Sequence, residues 1–208
     1  MSDAEIDLNY DLKSFFPAVS LEEIHQFERK LSDYFEQSIQ LPDEFIQQLL
    51  HFHGGIPGKQ CFRSPTGEIR IICRFCNIFR ALGDQRLSMP AIPSWRPGGA
   101  SDVRLDYSIN YLFARFDYSG RLDESGGNLV PIAAIDTAGH NAREMSEMNL
   151  LCLDFRKPEK PIVVTWDFEL SWCNPRDTIK VADSFGQFLT MLYERPDDFA
   201  ISNDCEFL

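Results

Sequence analysis

The chain has 208 residues, 44% of them apolar, and a formal net charge of −12. This composition excludes extensive disorder, and no apolar run reaches the roughly 18 residues a membrane helix needs. The charge argues against direct nucleic-acid binding, which needs clustered Lys and Arg at the phosphates.

Residues 1–19 read as a polar N-terminal arm ending in Phe15-Phe16-Pro17, acidic at its start and without the apolar core of a secretion signal. Ser20-Leu21-Glu22-Glu23 is a capping box, followed at helical spacing by Ile24, Phe27, Leu31, Tyr34 and Phe35. This predicts a first helix ending near Gln37. A second helix starts at Leu41-Pro42-Asp43-Glu44-Phe45, where proline suits the first helical position because its missing N–H has no intrahelical partner there. It buries Phe45, Leu49 and Phe52, and Gly54-Gly55 stops it by allowing a left-handed residue.

Glu68 to Phe79 reads as a strand, with Ile69, Ile71, Cys73 and Phe75 alternating with Arg70, Ile72 and Arg74. A loop-rich stretch at about 83–125 follows, broken by Met89-Pro90, Ile92-Pro93 and Arg96-Pro97-Gly98-Gly99. Within it, Ser108 to Tyr118 fits a helix through Leu112 and Phe116, or a strand through its aromatic density. Strands are expected at 129–135, 149–155 and 161–167, the last two paired as an antiparallel hairpin across Lys157-Pro158-Glu159-Lys160. Ser184-Phe185-Gly186-Gln187 caps a closing helix with the stripe Phe185, Phe188, Leu189 and Leu192, stopped by Arg195-Pro196. Residues 196–208 are an acidic C-terminal tail. The fold class is α+β: a single domain over 20–195, mainly antiparallel sheet packed with flanking helices.

Catalytic and metal motifs are thin. Cys73-Arg74-Phe75-Cys76 has the spacing of a zinc knuckle or redox pair, but no second knuckle accompanies it. On a strand, that odd spacing sends the two side chains to opposite faces. The six cysteines imply no disulfide framework in a chain of this length without a secretion signal. His51 and His53 fall at a helix C-terminus, where the dipole favours them anyway. None of the Gly-Gly pairs is followed by Lys-Ser or Lys-Thr, so no phosphate loop is present. His140, beside Gly139 in a turn, is the one position suggestive of an acid or base, as in a hydrolase pairing it with a carboxylate. The expectation is no enzyme, no metal and no cofactor.

The better lead is aromatic and acidic. Trp95 and Trp172 stand in or beside loops, where tryptophans anchor interfaces. Asp102, Asp106, Asp117, Asp123, Glu124, Glu144 and Glu147 lie between them, mostly in loops or at element ends. These nine residues are the expected partner-binding set, matched to a basic protein surface and fast, steered encounter.

Four groups of residues, in this order, resemble the SUKH superfamily, which includes the fungal cell-wall-synthesis regulator domain. They are Leu41-Pro42-Asp43-Glu44-Phe45 with Leu49-Leu50 and Gly54-Gly55, then Leu129-Val130-Pro131-Ile132-Ala133 with Gly139 and Asn141. Next come Leu151-Cys152-Leu153-Asp154 with Val163-Val164-Thr165-Trp166-Asp167, and Val181-Ala182-Asp183-Ser184-Phe185 with Phe188-Leu189. The resemblance implies one α+β domain without catalysis. It further implies a cytoplasmic immunity protein that neutralises a cognate bacterial toxin domain, often a basic nuclease, by direct contact. An intracellular interaction or scaffold module of the same fold, like the fungal regulators, is the alternative it carries.

Overall fold

The computed structural model describes residues 7–78, 108, 109, 112, 128–137, 149–167 and 178–196. Helix α1 spans Leu21–Phe35 and opens on the expected capping box. The Glu23 amide donates to Ser20 Oγ at 3.3 Å, and the Ser20 amide donates to Glu23 Oε2 at 2.8 Å. Two of the amides that the first turn leaves without helical partners are thereby satisfied. Ile24, Phe27 and Leu31 form the buried stripe, and Glu36, at φ 52°, ends the helix. Helix α2 spans Asp43–Phe52 and buries Phe45, Gln48 and Leu49. Pro42 stands at the N-cap, one residue before the first helical position expected for it, and its carbonyl receives the Phe45 and Ile46 amides at 2.9 and 3.0 Å.

Among the described residues six strands follow: β1 Cys61–Arg63, β2 Ile69–Phe75, β3 Leu129–Thr137, β4 Asn149–Asp154, β5 Ile162–Trp166 and β6 Thr178–Ala182, with helix α3 at Phe185–Thr190. They lie in one sheet in chain order, each antiparallel to the next. The expected hairpin is β4–β5, with Asp154 opposite Ile162 and Leu150 opposite Trp166. The sheet with its flanking helices is the α+β domain the patterning implied.

Several local readings needed revision. β1 and β6 were not expected: β1 is three residues long, and the half-exposed β6 has no clean apolar alternation. In β2 the alternation breaks at a bulge between Ile72 and Arg74. Ile72, Cys73 and Phe75 all join the central core as a result. A second bulge between Pro131 and Ala133 lets a proline sit in interior strand β3, where a regular ladder would reject it. α3 is shorter than its apolar stripe. It ends at Thr190, and Leu192 is buried beyond it. Tyr193 then exchanges two backbone hydrogen bonds with Cys61, each 3.0 Å. This long-range pairing competes with a further helical turn and closes the outer edge of β1.

Among the described residues, the core is one cluster of buried side chains running through α1–α3 and β1–β6. Phenylalanines join its parts. Phe45 of α2 meets Phe185 of α3 edge-on at 5.2 Å, and Phe62 of β1 meets Phe188 of α3 at 5.3 Å. Such pairs contribute about 0.5–1.5 kcal/mol beyond their buried area. The first segment packs on this body. Leu8 and Val19 are buried, and Tyr10 stacks on Phe52 at 4.3 Å. The Gly58 and Asp11 amides bond to the carbonyls of Leu8 and Ile56 respectively. Among the described residues, no helix is long and apolar enough to cross a membrane.

Candidate functional site

All nine residues expected to bind a partner, Trp95, Asp102, Asp106, Asp117, Asp123, Glu124, Glu144, Glu147 and Trp172, lie outside the described residues, as does His140. The strands that carry their connections are described, and the meander fixes where each connection is rooted. Trp95 through Glu124 belong to the β2–β3 connection, which leaves the sheet at the end marked by Phe75 and Leu129. Glu144 and Glu147 belong to the β3–β4 connection and Trp172 to β5–β6. These two are rooted at the opposite end, at Thr137, Asn149, Trp166 and Thr178. The set therefore springs from both ends of the sheet.

The β2–β3 connection is tied to the body partway along. Asn77 and Ser108 form a parallel bridge, and the Ile109 amide donates to the Asn77 carbonyl at 2.8 Å. Ile109 and Leu112 are fully buried, and the Leu112 amide donates to the Ser108 carbonyl at 2.9 Å. That is a helical bond; of the ambiguous Ser108–Tyr118 stretch only Ser108, Ile109 and Leu112 fall among the described residues. The tie separates Trp95, Asp102 and Asp106 from Asp117, Asp123 and Glu124 along the connection.

A polar junction holds the start of this connection. His53, at the end of α2, is buried. Its Nδ1 lies 2.7 Å from the Pro17 carbonyl oxygen, and its Nε2 lies 2.9 Å from the Ile78 amide nitrogen. A carbonyl only accepts and an amide N–H only donates, so the ring is neutral with its proton on Nδ1. Beside it, buried Arg74 donates through one guanidinium nitrogen to the carbonyls of Ser14 at 2.7 Å and Gly54 at 2.6 Å. The same guanidinium sits 4.8 Å over the Phe16 ring. Gly54 adopts φ +66°, and a Cβ there would lie 2.2 Å from Phe16 Cδ2. Tyr10 donates to Gln48 Oε1 at 2.5 Å, and burial pushes its phenol well above the ordinary tyrosine range. The histidines suspected at a helix end thus divide: His53 is a structural linchpin, and exposed His51 contacts Gln47 and the ring of Phe52 within its own helix.

Four of the six cysteines fall among the described residues. Cys61, Cys73, Cys76 and Cys152 are free and buried. Burial pushes the Cys76 and Cys152 thiols far up, with the neighbouring Cys76 and Asp154 adding to the shift of Cys152. Thiolate is the reactive and metal-binding form, so these sites resist both chemistries. Among the described residues, no three His, Cys, Asp or Glu side chains come together to hold a metal ion.

Charge is distributed unevenly over the described surface. Between Lys30 and Lys59 the chain has no Lys or Arg, whereas Asp33, Glu36, Asp43 and Glu44 are exposed across the α1–α2 layer. Basic residues gather at the β4–β5 turn and β6, where Arg156, Lys157, Lys160 and Lys180 are exposed, and the end of α1 adjoins that turn, since Gln37 Nε2 donates to the Phe155 carbonyl at 2.8 Å. There Arg156 Nε donates to both oxygens of buried Asp154, at 2.9 and 2.7 Å, and its Nη2 donates to Thr178 Oγ1 at 3.0 Å. The sequence reading, drawn to loops, passed over the acidic helical layer. The missing basic residues between Lys30 and Lys59 were the signal that marked it.

The model of the SMI1 / KNR4 family (SUKH-1) matches residues 18–191. No curated protein and no solved structure matches the chain.

Proposed function

The chain belongs to the SMI1/KNR4 (SUKH-1) family, and from that premise we propose that it is a non-enzymatic binding protein of the immunity type. In this reading it neutralises a cognate bacterial toxin domain in the cytoplasm by direct contact. The family match carries the proposal, and the net charge of −12 agrees with it. The toxin would be basic, such as a nuclease, whose cationic active site an anionic surface attracts and plugs. The exposed Asp33, Glu36, Asp43 and Glu44 would supply part of the steering field. Trp95, Trp172 and the loop carboxylates would supply the closer contacts. The engaged ring of His53 and the high-lying thiols of Cys76 and Cys152 fit a body built for rigidity.

The test is co-expression with the toxin encoded beside this chain, followed by co-purification and a growth assay. Rescue of growth together with a stable complex supports the proposal. A toxin that kills undiminished, with no complex formed, refutes it.

A further inference from the structure

Residues 7–17 precede the stretch that the family model matches, which begins at residue 18, yet they are bedded on the body of the domain. We propose that this bed is a peptide-binding groove. Residues 7–17 occupy it in cis, and a segment of a protein partner takes their place when they lift. That segment carries the same pattern: an aliphatic residue, an aromatic ring two positions later, a short turn and then two adjacent aromatic rings.

The groove runs from the last turn of α2 along residues 53–59. Its backbone holds the occupant by main-chain bonds that any peptide can supply. The Gly58 and Lys59 amides donate to the Leu8 carbonyl at 2.9 and 3.0 Å. The Asp11 amide donates to the Ile56 carbonyl at 3.0 Å, and the Phe16 amide to the His53 carbonyl at 2.9 Å. Such bonds give affinity, and the pockets for side chains give selectivity.

The selectivity lies in the floor and the walls. At Gly54 a Cβ would collide with the Phe16 ring, at Gly55 it would lie 2.7 Å from the Phe15 ring, and at Gly58 it would lie 2.5 Å from the Asn9 carbonyl oxygen. Three glycines thus leave room for three different residues of the occupant. Phe52 stacks on Tyr10 at 4.3 Å and meets Phe15 at 5.9 Å, while Gln48 Oε1 accepts from the Tyr10 hydroxyl at 2.5 Å. Arg74 lies over the Phe16 ring at 4.8 Å and donates to the Ser14 carbonyl at 2.7 Å. Flat rings fill these places with stacking and cation–π contacts that aliphatic or charged side chains do not make.

The occupant is loosely invested in the fold. Of residues 7–17, Leu8 and Ser14 are buried, the rings of Tyr10, Phe15 and Phe16 are half-buried, and Leu12 is 80% exposed at the turn. The segment has no place in the six-stranded sheet. A piece with so little buried surface opens more readily than the central strands. The groove stands at the Phe52 end of α2, away from Asp43 and Glu44 at its start, so it does not depend on the steering surface proposed above.

A labelled peptide copying residues 7–17, titrated against full-length chains, tests the proposal. One chain is unaltered. The other is a Leu8→Ser/Tyr10→Ser double variant, which loosens the cis segment and leaves every groove residue in place. The loosened chain should bind about tenfold more tightly or better, because in the unaltered chain the tethered segment competes at a high effective concentration. A peptide with serine in place of both phenylalanines should not bind. Should the variant fail to fold, hydrogen exchange on the unaltered chain reads the same event. The Asp11, Phe16, Gly58 and Lys59 amides should open while the β4 and β5 amides stay protected. Equal affinity for the two chains, or no binding by the loosened one, overturns the proposal. So does exchange of those four amides only together with the sheet. Dimerisation as concentration rises, with those amides protected in the dimer, would assign the groove to a second copy and overturn it as well.

Discussion

Gly54→Ala isolates the contact on which the first segment depends. Two costs add. Alanine at φ +66° pays roughly 1–2 kcal/mol for the left-handed backbone. The new Cβ would also stand 2.2 Å from Phe16 Cδ2, and Cβ contacts below 3.0 Å are essentially never observed. Phe16 must therefore leave its place. Its ring lies under the Arg74 guanidinium at 4.8 Å, an interaction of about 0.5–2 kcal/mol. The expected loss is about 1.5–4 kcal/mol, a large share of the roughly 5–15 kcal/mol that holds an ordinary domain together. Urea unfolding with an unchanged slope measures it. The decisive control is Phe16→Ala. In that background the obstructing ring is gone, leaving the 3.1 Å approach to Asn77 Cβ, and Gly54→Ala should cost little more than the backbone share, about 1–2 kcal/mol. Strict additivity of the two substitutions would refute the steric account, and so would a single-variant loss below about 0.5 kcal/mol.

Phe185→Ala should cost about 3–5 kcal/mol by the same assay, because Phe185 is fully buried and meets Phe45 at 5.2 Å and Phe75 at 6.2 Å. Ser20→Ala should cost about 1 kcal/mol through the lost capping box of α1, and Ser20→Gly only a few tenths. Thiol titration of the native chain near pH 8 should leave Cys61, Cys73, Cys76 and Cys152 unreacted until denaturant is added, since all four are buried and burial pushes the Cys76 and Cys152 thiols up. Replacing Asp33, Glu36, Asp43 and Glu44 together by their amides should slow association with the proposed basic partner by tenfold or more at low salt, and by much less at high salt. An unchanged association rate would remove the helical layer from the steering surface.

What the sequence determined by itself was whatever rests on local periodicity and local chemistry. Ser20 and Glu23 announce the start of α1 because a capping box lies within four residues. Gly54 announces the end of α2 because few residues but glycine tolerate φ +66°. The short polar link between β4 and β5 announces their hairpin.

Other features depended on partners distant along the chain, and only the tertiary structure decided them. β6 is a strand because β5 lies beside it, and α3 stops at Thr190 while Tyr193 pairs with Cys61 across the domain. A bulge between Ile72 and Arg74 overrode the two-residue alternation of β2. Gly55 has a second role that no turn rule contains, since a Cβ there would lie 2.7 Å from Phe15. His53 looked like a dipole-stabilised surface histidine. It became a neutral, buried linchpin only because folding carries Pro17 and Ile78 to its two ring nitrogens, and no pattern within a few residues records so distant a meeting.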